Sequence, residues 1–183
     1  MGLNMTEQAV ISARAGQADI PPGSARLYTL VLLVDDRQGA IDRVVNVLRR
    51  RRANMRTLVV GPSEEAGVAR VTVVVDDAEV GVEHLSEQLR KIVDVRQVLL
   101  FPAGQAIERE LALVKVSCTT ANRREIIELG QHFGAQAVDL APETLTLQVT
   151  GRGEQVEQLL ERLQPYGIRE LARSGCLAIA RDE

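Results

Sequence analysis

The chain has 183 residues, a formal net charge of −3, and 45% hydrophobic against 26% charged residues. That balance supports a packed core, sets aside wholesale disorder and gives no global pull towards nucleic acid or an anionic membrane. Two His, two Cys, two Lys, two Phe, two Tyr and no Trp leave the side chains of nucleophilic, metal and acid–base chemistry nearly absent, so a self-sufficient enzyme is a poor first reading.

Residues 1–25 carry the Pro21-Pro22-Gly23-Ser24 cluster and no sustained apolar period, and read as a flexible N-terminal tail. Glu7, Arg14 and Asp19 interrupt this stretch, so it lacks the apolar core of a secretory signal. No apolar run approaches the ~18 residues of a membrane span, and a cytoplasmic chain is expected.

Leu27 to Val34 is a β-rich apolar run closed by the polar turn Asp35-Asp36-Arg37-Gln38-Gly39. Ile41, Val44, Val45 and Leu48 follow at helical spacing and lead into Arg49 to Arg52, cations that suit a solvated helix C-terminus. Met55 to Gly61 and Val68 to Val75 read as a hairpin about Gly61-Pro62-Ser63. Val82, Leu85, Leu89 and Ile92 predict a second helix, and Val95 to Phe101 a strand that stops before Pro102-Ala103-Gly104.

The order then repeats. Leu111 to Ser117 predicts a strand, and Ile126, Leu129 and Phe133 a helix capped by Thr120 or Asn122. Ala137 to Leu140 pairs with Leu145 to Val149, whose alternation with Thr144, Thr146 and Gln148 gives one buried face and one wet one. Val156, Leu159, Leu160 and Leu163 predict the last helix, and Ile168 to Ala180 the last strand, broken at Ser174-Gly175. The economical reading is an α+β chain of two tandem ferredoxin-like βαββαβ domains, residues 26–102 and 103–183. Each pairs a four-stranded antiparallel sheet with two helices on one face, which leaves the other face or an edge to a partner, so dimerisation is expected.

This order serves RNA-binding modules, metal carriers and small-molecule sensors alike, so function rests on particular residues. Only Tyr28 is placed to stack a base on the first sheet, which argues against RNA recognition. Cys118 and Cys176, far apart and without CxxC spacing, read as small apolar residues rather than a redox or metal site. Gly151-Arg152-Gly153 lacks the GK[ST] ending of a P-loop and reads as a strand-to-helix turn. His84 and His132 fall on helices as surface residues and form no triad.

The turn from Asp35 to Ile41 remains. A glycine at the helix start lets the backbone approach a ligand, and the free amides of a first helical turn suit a carboxylate. Asp36 is placed to receive an ammonium group and Ile41 to line an apolar pocket, which together match the two ends of a free amino acid. The same residues also serve simply as a tight turn with an N-cap.

Leu30 to Val44, continuing from Arg52 to Val60, resembles the opening ACT-domain pattern "VxNxxGxLxRVxxLFxxRGxNIxSLxV" of the regulatory small subunit of acetolactate synthase. Gln88 to Val95 is similar to that family's "QLxKLxDVxxV", Glu108 to Val116 to its "ERELxLVKV", and Leu171 to Gly175 to its closing "ARSG". The resemblance implies a homodimer whose ACT domains join sheets side by side and bind a branched-chain amino acid, usually valine, at the interface. It also implies no catalysis and no cofactor in this chain. A separate catalytic subunit would carry thiamine diphosphate, FAD and Mg, and this chain would activate it and transmit feedback inhibition. The implied effector-binding residues are Asp36, Gln38, Gly39, Ala40 and Ile41, with Asn54 presented from the neighbouring subunit. Asp36 stands where the family has Asn, and Ala53 beside Asn54 suggests a different turn after the arginine run. The rival reading is a free-standing ACT-domain amino-acid sensor that regulates another enzyme.

Overall fold

A computed structural model describes residues 27–76 and 81–181; the expected N-terminal tail, 1–25, lies outside the described residues. The chain divides into two compact units, one of residues up to 107 together with those from 178 onward, the other of residues 108–177.

The first unit follows the order β1 (Leu27–Asp35), α1 (Ala40–Arg50), β2 (Asn54–Pro62), β3 (Val68–Asp76), α2 (Val82–Arg90) and β4 (Val95–Pro102). Its antiparallel sheet runs β2-β3-β1-β4. The most apolar strand, β1, is central. Leu30, Leu32 and Val34 pair with Val73, Val71 and Ala69 of β3, and Leu30 and Leu32 pair with Leu100 and Val98 of β4. These residues point to the helices, where Ala40, Val44 and Leu48 of α1 and Val82, Leu85 and Leu89 of α2 close the core. Each Val or Leu side chain so removed from water contributes about 1.5–3 kcal/mol.

Helix α1 ends in a Schellman closure: the Ala53 amide donates to the Leu48 carbonyl at 3.0 Å and the Arg52 amide to that of Arg49 at 3.0 Å. The geometry requires a left-handed residue, and Arg52 takes it at φ 53°, the one non-glycine among the described residues with positive φ. The distinct turn suggested at Ala53 therefore centres one residue earlier, since "RGxN" laid on Arg51-Arg52-Ala53-Asn54 puts the family's glycine at Arg52. Arg49 to Arg52 are exposed, as a solvated helix end should be.

The sheet face away from the helices is partly covered by the chain itself. Ala106 and Ala178 bury Val31 there, with Leu99 and Phe101 against them, and the Arg70 guanidinium donates to the Ala178 carbonyl at 3.0 Å. The edge strands are β2 and β4, and along β2 Met55, Leu58 and Val60 are exposed.

The second unit holds most of β5 (Ala106–Ser117), then α3 (Arg123–His132), β6 (Gln136–Leu140), β7 (Thr144–Gly151), α4 (Gly153–Leu163), a 3-10 turn at Gln164–Tyr166 and β8 (Ile168–Arg173). The sheet runs β6-β7-β5-β8. Ala112, Val114 and Val116 pair with Val149, Leu147 and Leu145, so two alternating strands deliver one apolar face to Ile126 and to Val156, Leu159, Leu160 and Leu163. Asn122 holds the cap position of α3 but turns its Oδ1 to the Thr119 amide at 2.6 Å. The Gly151-Arg152-Gly153 segment is a strand-to-helix turn, with the Arg152 amide donating to Gln155 Oε1 at 3.0 Å.

The last strand is two strands. Gly175 turns the chain at φ 81°, and Ser174 closes β8 by donating its amide to the Leu111 carbonyl at 2.9 Å and accepting the Leu111 amide on Oγ at 3.0 Å. Leu177–Ala180 then forms β9, which pairs with β5. Buried Glu110 holds Arg173 beside this turn, and Arg173 also reaches Glu157 at 2.9 Å.

Candidate effector site: the turn between β1 and α1

The turn is short because β1 ends at Asp35 and α1 begins at Ala40. Gly39 takes the position before the helix at φ 79°, ψ −2°, a conformation costly for any residue with a Cβ. No side chain caps the helix, so the N-cap role open to Asp35 or Asp36 goes to neither. Among the described residues the amides of Gln38, Gly39, Ile41 and Asp42 have no hydrogen-bond partner. They form a cluster of donors at the positive end of the α1 dipole.

The implied site residues divide by what they present. Asp36 and Gln38 are exposed, and the Asp36 carboxylate has no partner among the described residues. Ile41 is half-buried at the rim of the core. Ala40 is fully buried and its amide donates to the Arg37 carbonyl at 3.1 Å, so its methyl faces the core. The 40-44-48 spacing of α1 carries this signal.

Asn54 stands elsewhere. Asp35 pairs with Val68 at one end of β3, and Asn54 pairs with Asp76 at the other end of that nine-residue strand. At the usual strand rise the two ends are about 26 Å apart. One chain therefore brings Asp36 to Ile41 together and leaves Asn54 out.

Two flanks hold the turn. The Asp36 amide donates to the Gly67 carbonyl at 2.9 Å in the β2–β3 hairpin, and the Asp35 amide to the Asp94 carbonyl at 2.8 Å before β4. Arg96 ties both flanks, donating to Asp35 at 2.6 Å and to Glu65 at 2.8 Å; the Asp35 hydrogen bond raises its pKa above the ordinary value. Asp94 has no exposed side-chain surface and accepts hydrogen bonds from Arg37 and Arg43. The Arg43 hydrogen bond, helped by that from Arg37, holds its carboxyl below the usual range against the penalty of burial. Asp94 falls within the Gln88 to Val95 motif, and nothing in that stretch of sequence marks its role. Its partners lie 57 and 51 residues away, beyond any local pattern.

The remaining chemical side chains lie outside the turn. His84 and His132 are exposed. Cys118 is buried, and Cys176 is half-buried, its thiol pushed up to about 11 by burial and by Glu108 and Glu110. Among the described residues no cluster of His, Cys, Asp and Glu can hold a metal ion, and no helix is long and apolar enough to cross a membrane.

Two ferredoxin-like units in tandem, the first opening on a glycine turn at a helix start, define an ACT-domain protein. A family model described as the AHAS small subunit-like ACT domain matches residues 30–97, and one described as the small subunit of acetolactate synthase matches residues 109–182. The acetolactate synthase small subunit of Mycolicibacterium smegmatis is 38% identical over 154 residues, covering 84% of this chain and 91% of that protein. The Bacillus subtilis small subunit is 39% identical over 153 residues, 83% of this chain and 89% of that one. The crystal structure of the acetolactate synthase small subunit from Thermotoga maritima aligns with a TM-score of 0.77 at 29% identity, covering 86% of this chain and 99% of that chain. The chain belongs to the family of acetolactate synthase small subunits.

Proposed function

We propose that this chain is the non-catalytic regulatory subunit of a cytoplasmic acetolactate synthase. It acts as a homodimer that binds a branched-chain amino acid, valine, leucine or isoleucine, between its two ACT domains. The free amides from Gln38 to Asp42 receive the effector carboxylate, Asp36 faces its ammonium group and Ile41 its side chain. The partner subunit supplies Asn54. The dimer raises the activity of a separate catalytic subunit, which carries thiamine diphosphate, FAD and Mg, and lowers it again when the effector is bound.

The observation that carries this reading is the placement of the Gly39 turn and Asn54 at opposite ends of one sheet, with Asn54 opening the edge strand β2. An antiparallel pairing of β2 with β2 of a second copy turns the partner's sheet end for end, so its Asn54 end arrives beside this chain's turn. Exposed Met55, Leu58 and Val60 along β2 support such a pairing. Coupling between an effector and a partner's activity is typically ~1–3 kcal/mol, enough for a change of several fold in rate.

The test is a titration of valine into the chain mixed with its catalytic subunit, with acetolactate formation as the readout. The chain alone is expected to be inactive, the mixture faster than the catalytic subunit alone, and valine to reverse the gain. Turnover of pyruvate by the isolated chain defeats the non-catalytic reading. No change in rate on mixing points to a free-standing sensor.

A further inference from the structure

We propose that Asp94 is the positioning residue of the effector turn: a single buried carboxylate gathers Arg37 from within the turn and Arg43 from α1, and so fixes where the free amides between Gln38 and Asp42 point. The proposal rests on the effector reading of that turn.

The geometry is a three-point anchor. The Asp94 carbonyl accepts the Asp35 amide at 2.8 Å, Oδ1 accepts from Arg37, and Oδ2 accepts from Arg43. Asp94 has no exposed side-chain surface, while the Arg37 and Arg43 side chains are 55% and 47% exposed. The fixed point of the cluster is therefore the carboxylate, and the arginines are the mobile partners drawn to it. A buried carboxylate is tolerated only when its charge is matched and its lone pairs are used, and both conditions are met here by residues of the turn and helix.

The Asp36–Gly67 bond and the Arg96 bridge to Asp35 and Glu65 hold the start of the turn, whereas the anchor joins the turn to α1. Helix α1 has no side-chain cap, and on the opposite flank the backbone is held by the Asp36 amide on Gly67. Arg43 passes beside Gly39 on its way to Asp94: its Nη1 lies 3.5 Å from where a Cβ on Gly39 would sit, an ordinary contact distance. A guanidinium whose place Asp94 sets therefore flanks the turn at Gly39. Cutting the carboxylate releases the chain on both sides of Gly39 together.

The experiment uses the full chain and the variant Asp94→Asn, read by amide hydrogen exchange and by calorimetry with valine, leucine and isoleucine. The hydrogen-bonded amides of Asp35, Asp36, Arg37, Ala40 and Arg43 should exchange roughly tenfold faster or more, those of Leu32 and Val71 in the core should not change, and the Kd should rise roughly tenfold. Unchanged exchange in the turn overturns the anchor. Faster exchange with an unchanged Kd overturns its bearing on the effector. A wild type that binds none of the three amino acids overturns the effector reading and the proposal with it, a result distinct from a wild type that binds and a variant that binds equally well.

Arg37→Gln keeps the test decisive where Asp94→Asn fails to fold, because it cuts the arm from the turn and leaves Asp94 paired with Arg43. Its Kd should rise roughly fivefold while the core amides of Leu32 and Val71 keep their wild-type exchange, and Arg37→Lys should restore affinity. An Arg37→Gln chain that binds as tightly as wild type counts against the proposal.

Discussion

Gly39 and Asn54 lie at opposite ends of one sheet, Gly39 in the turn after β1 and Asn54 at the start of β2. A site that uses both is completed by two chains. Mixing tests this directly. A Gly39→Val chain lacks a usable turn and an Asn54→Ala chain lacks its contribution to the partner's turn, so each homodimer should bind no effector. In a mixed dimer one site collects both lesions and the other collects neither. An equal mixture re-equilibrated between partners should recover about a quarter of the wild-type binding capacity, as random pairing of a two-fold dimer dictates. Calorimetry measures it, and no recovery means that the site is built within one chain.

Asp36 is exposed and without a partner among the described residues, so its charge is felt through water. At ~4 Å an attraction to the effector ammonium group is about 1 kcal/mol in that medium and about 4 kcal/mol where the dielectric is nearer 20. The Asp36→Asn chain should bind valine about fivefold more weakly at low salt, with the difference shrinking as salt is added. A tighter Asn variant would show that the Asp36 charge opposes the effector carboxylate instead of receiving its ammonium group.

Arg52 sits in the left-handed region with a full side chain, in a closure that glycine makes without strain. The penalty for such a residue is about 1 kcal/mol after the extra freedom of an unfolded glycine is counted. Arg52→Gly should therefore raise the melting temperature, by about 3 °C for a chain of this size. Differential scanning calorimetry reads the shift, and a lower melting temperature would show that the Arg52 side chain contributes more than its backbone costs.

Asp94 also sets an acid limit. Its carboxyl titrates lower in the folded chain than in the unfolded one, because Arg43 and Arg37 hold the charged form. The unfolded chain thus binds the proton first. The stabilisation is complete above the ordinary aspartate range, near 4, and disappears as pH falls below it towards the folded value. Denaturant midpoints measured between about pH 5 and pH 2 should fall less steeply in Asp94→Asn than in wild type.

Cys176 should be slow to alkylate. With its thiol raised to about 11, little thiolate exists near pH 8, and modification by iodoacetamide should accelerate with pH until the thiol has titrated. Rapid modification at pH 8, read by mass spectrometry, would contradict that environment.

The elements were legible because each half of the chain writes its burial in a simple period. Leu145, Leu147 and Val149 alternate on a strand, and Val44 and Leu48 recur at one helical turn; all five are buried. The glycine turn was legible from residue type, and the resemblance added Asn54, which no local pattern connects to Gly39. Two things were not legible. The Asp94 anchor joins charges more than fifty residues apart, and charged residues carry no period that reveals a partner. The break at Ser174-Gly175 is legible in the sequence, but the place Leu177 to Ala180 takes beyond it is not, because that run reads as a continuation of Ile168 to Arg173. Only packing shows that Ala178 buries Val31.

That return of Ala178 sets the order in which the chain can finish folding as it is made. A ribosome emits the N-terminal half first, and domains generally fold as they emerge. Here the first unit can form its sheet and helices early, but Val31, Leu99 and Phe101 stay without Ala178 until that residue, made after the whole second unit, emerges. The unit synthesised first is thus among the last to be completed, and a nascent chain stalled or cleaved before residue 178 leaves an apolar face open to the chaperones and proteases that survey unfinished proteins.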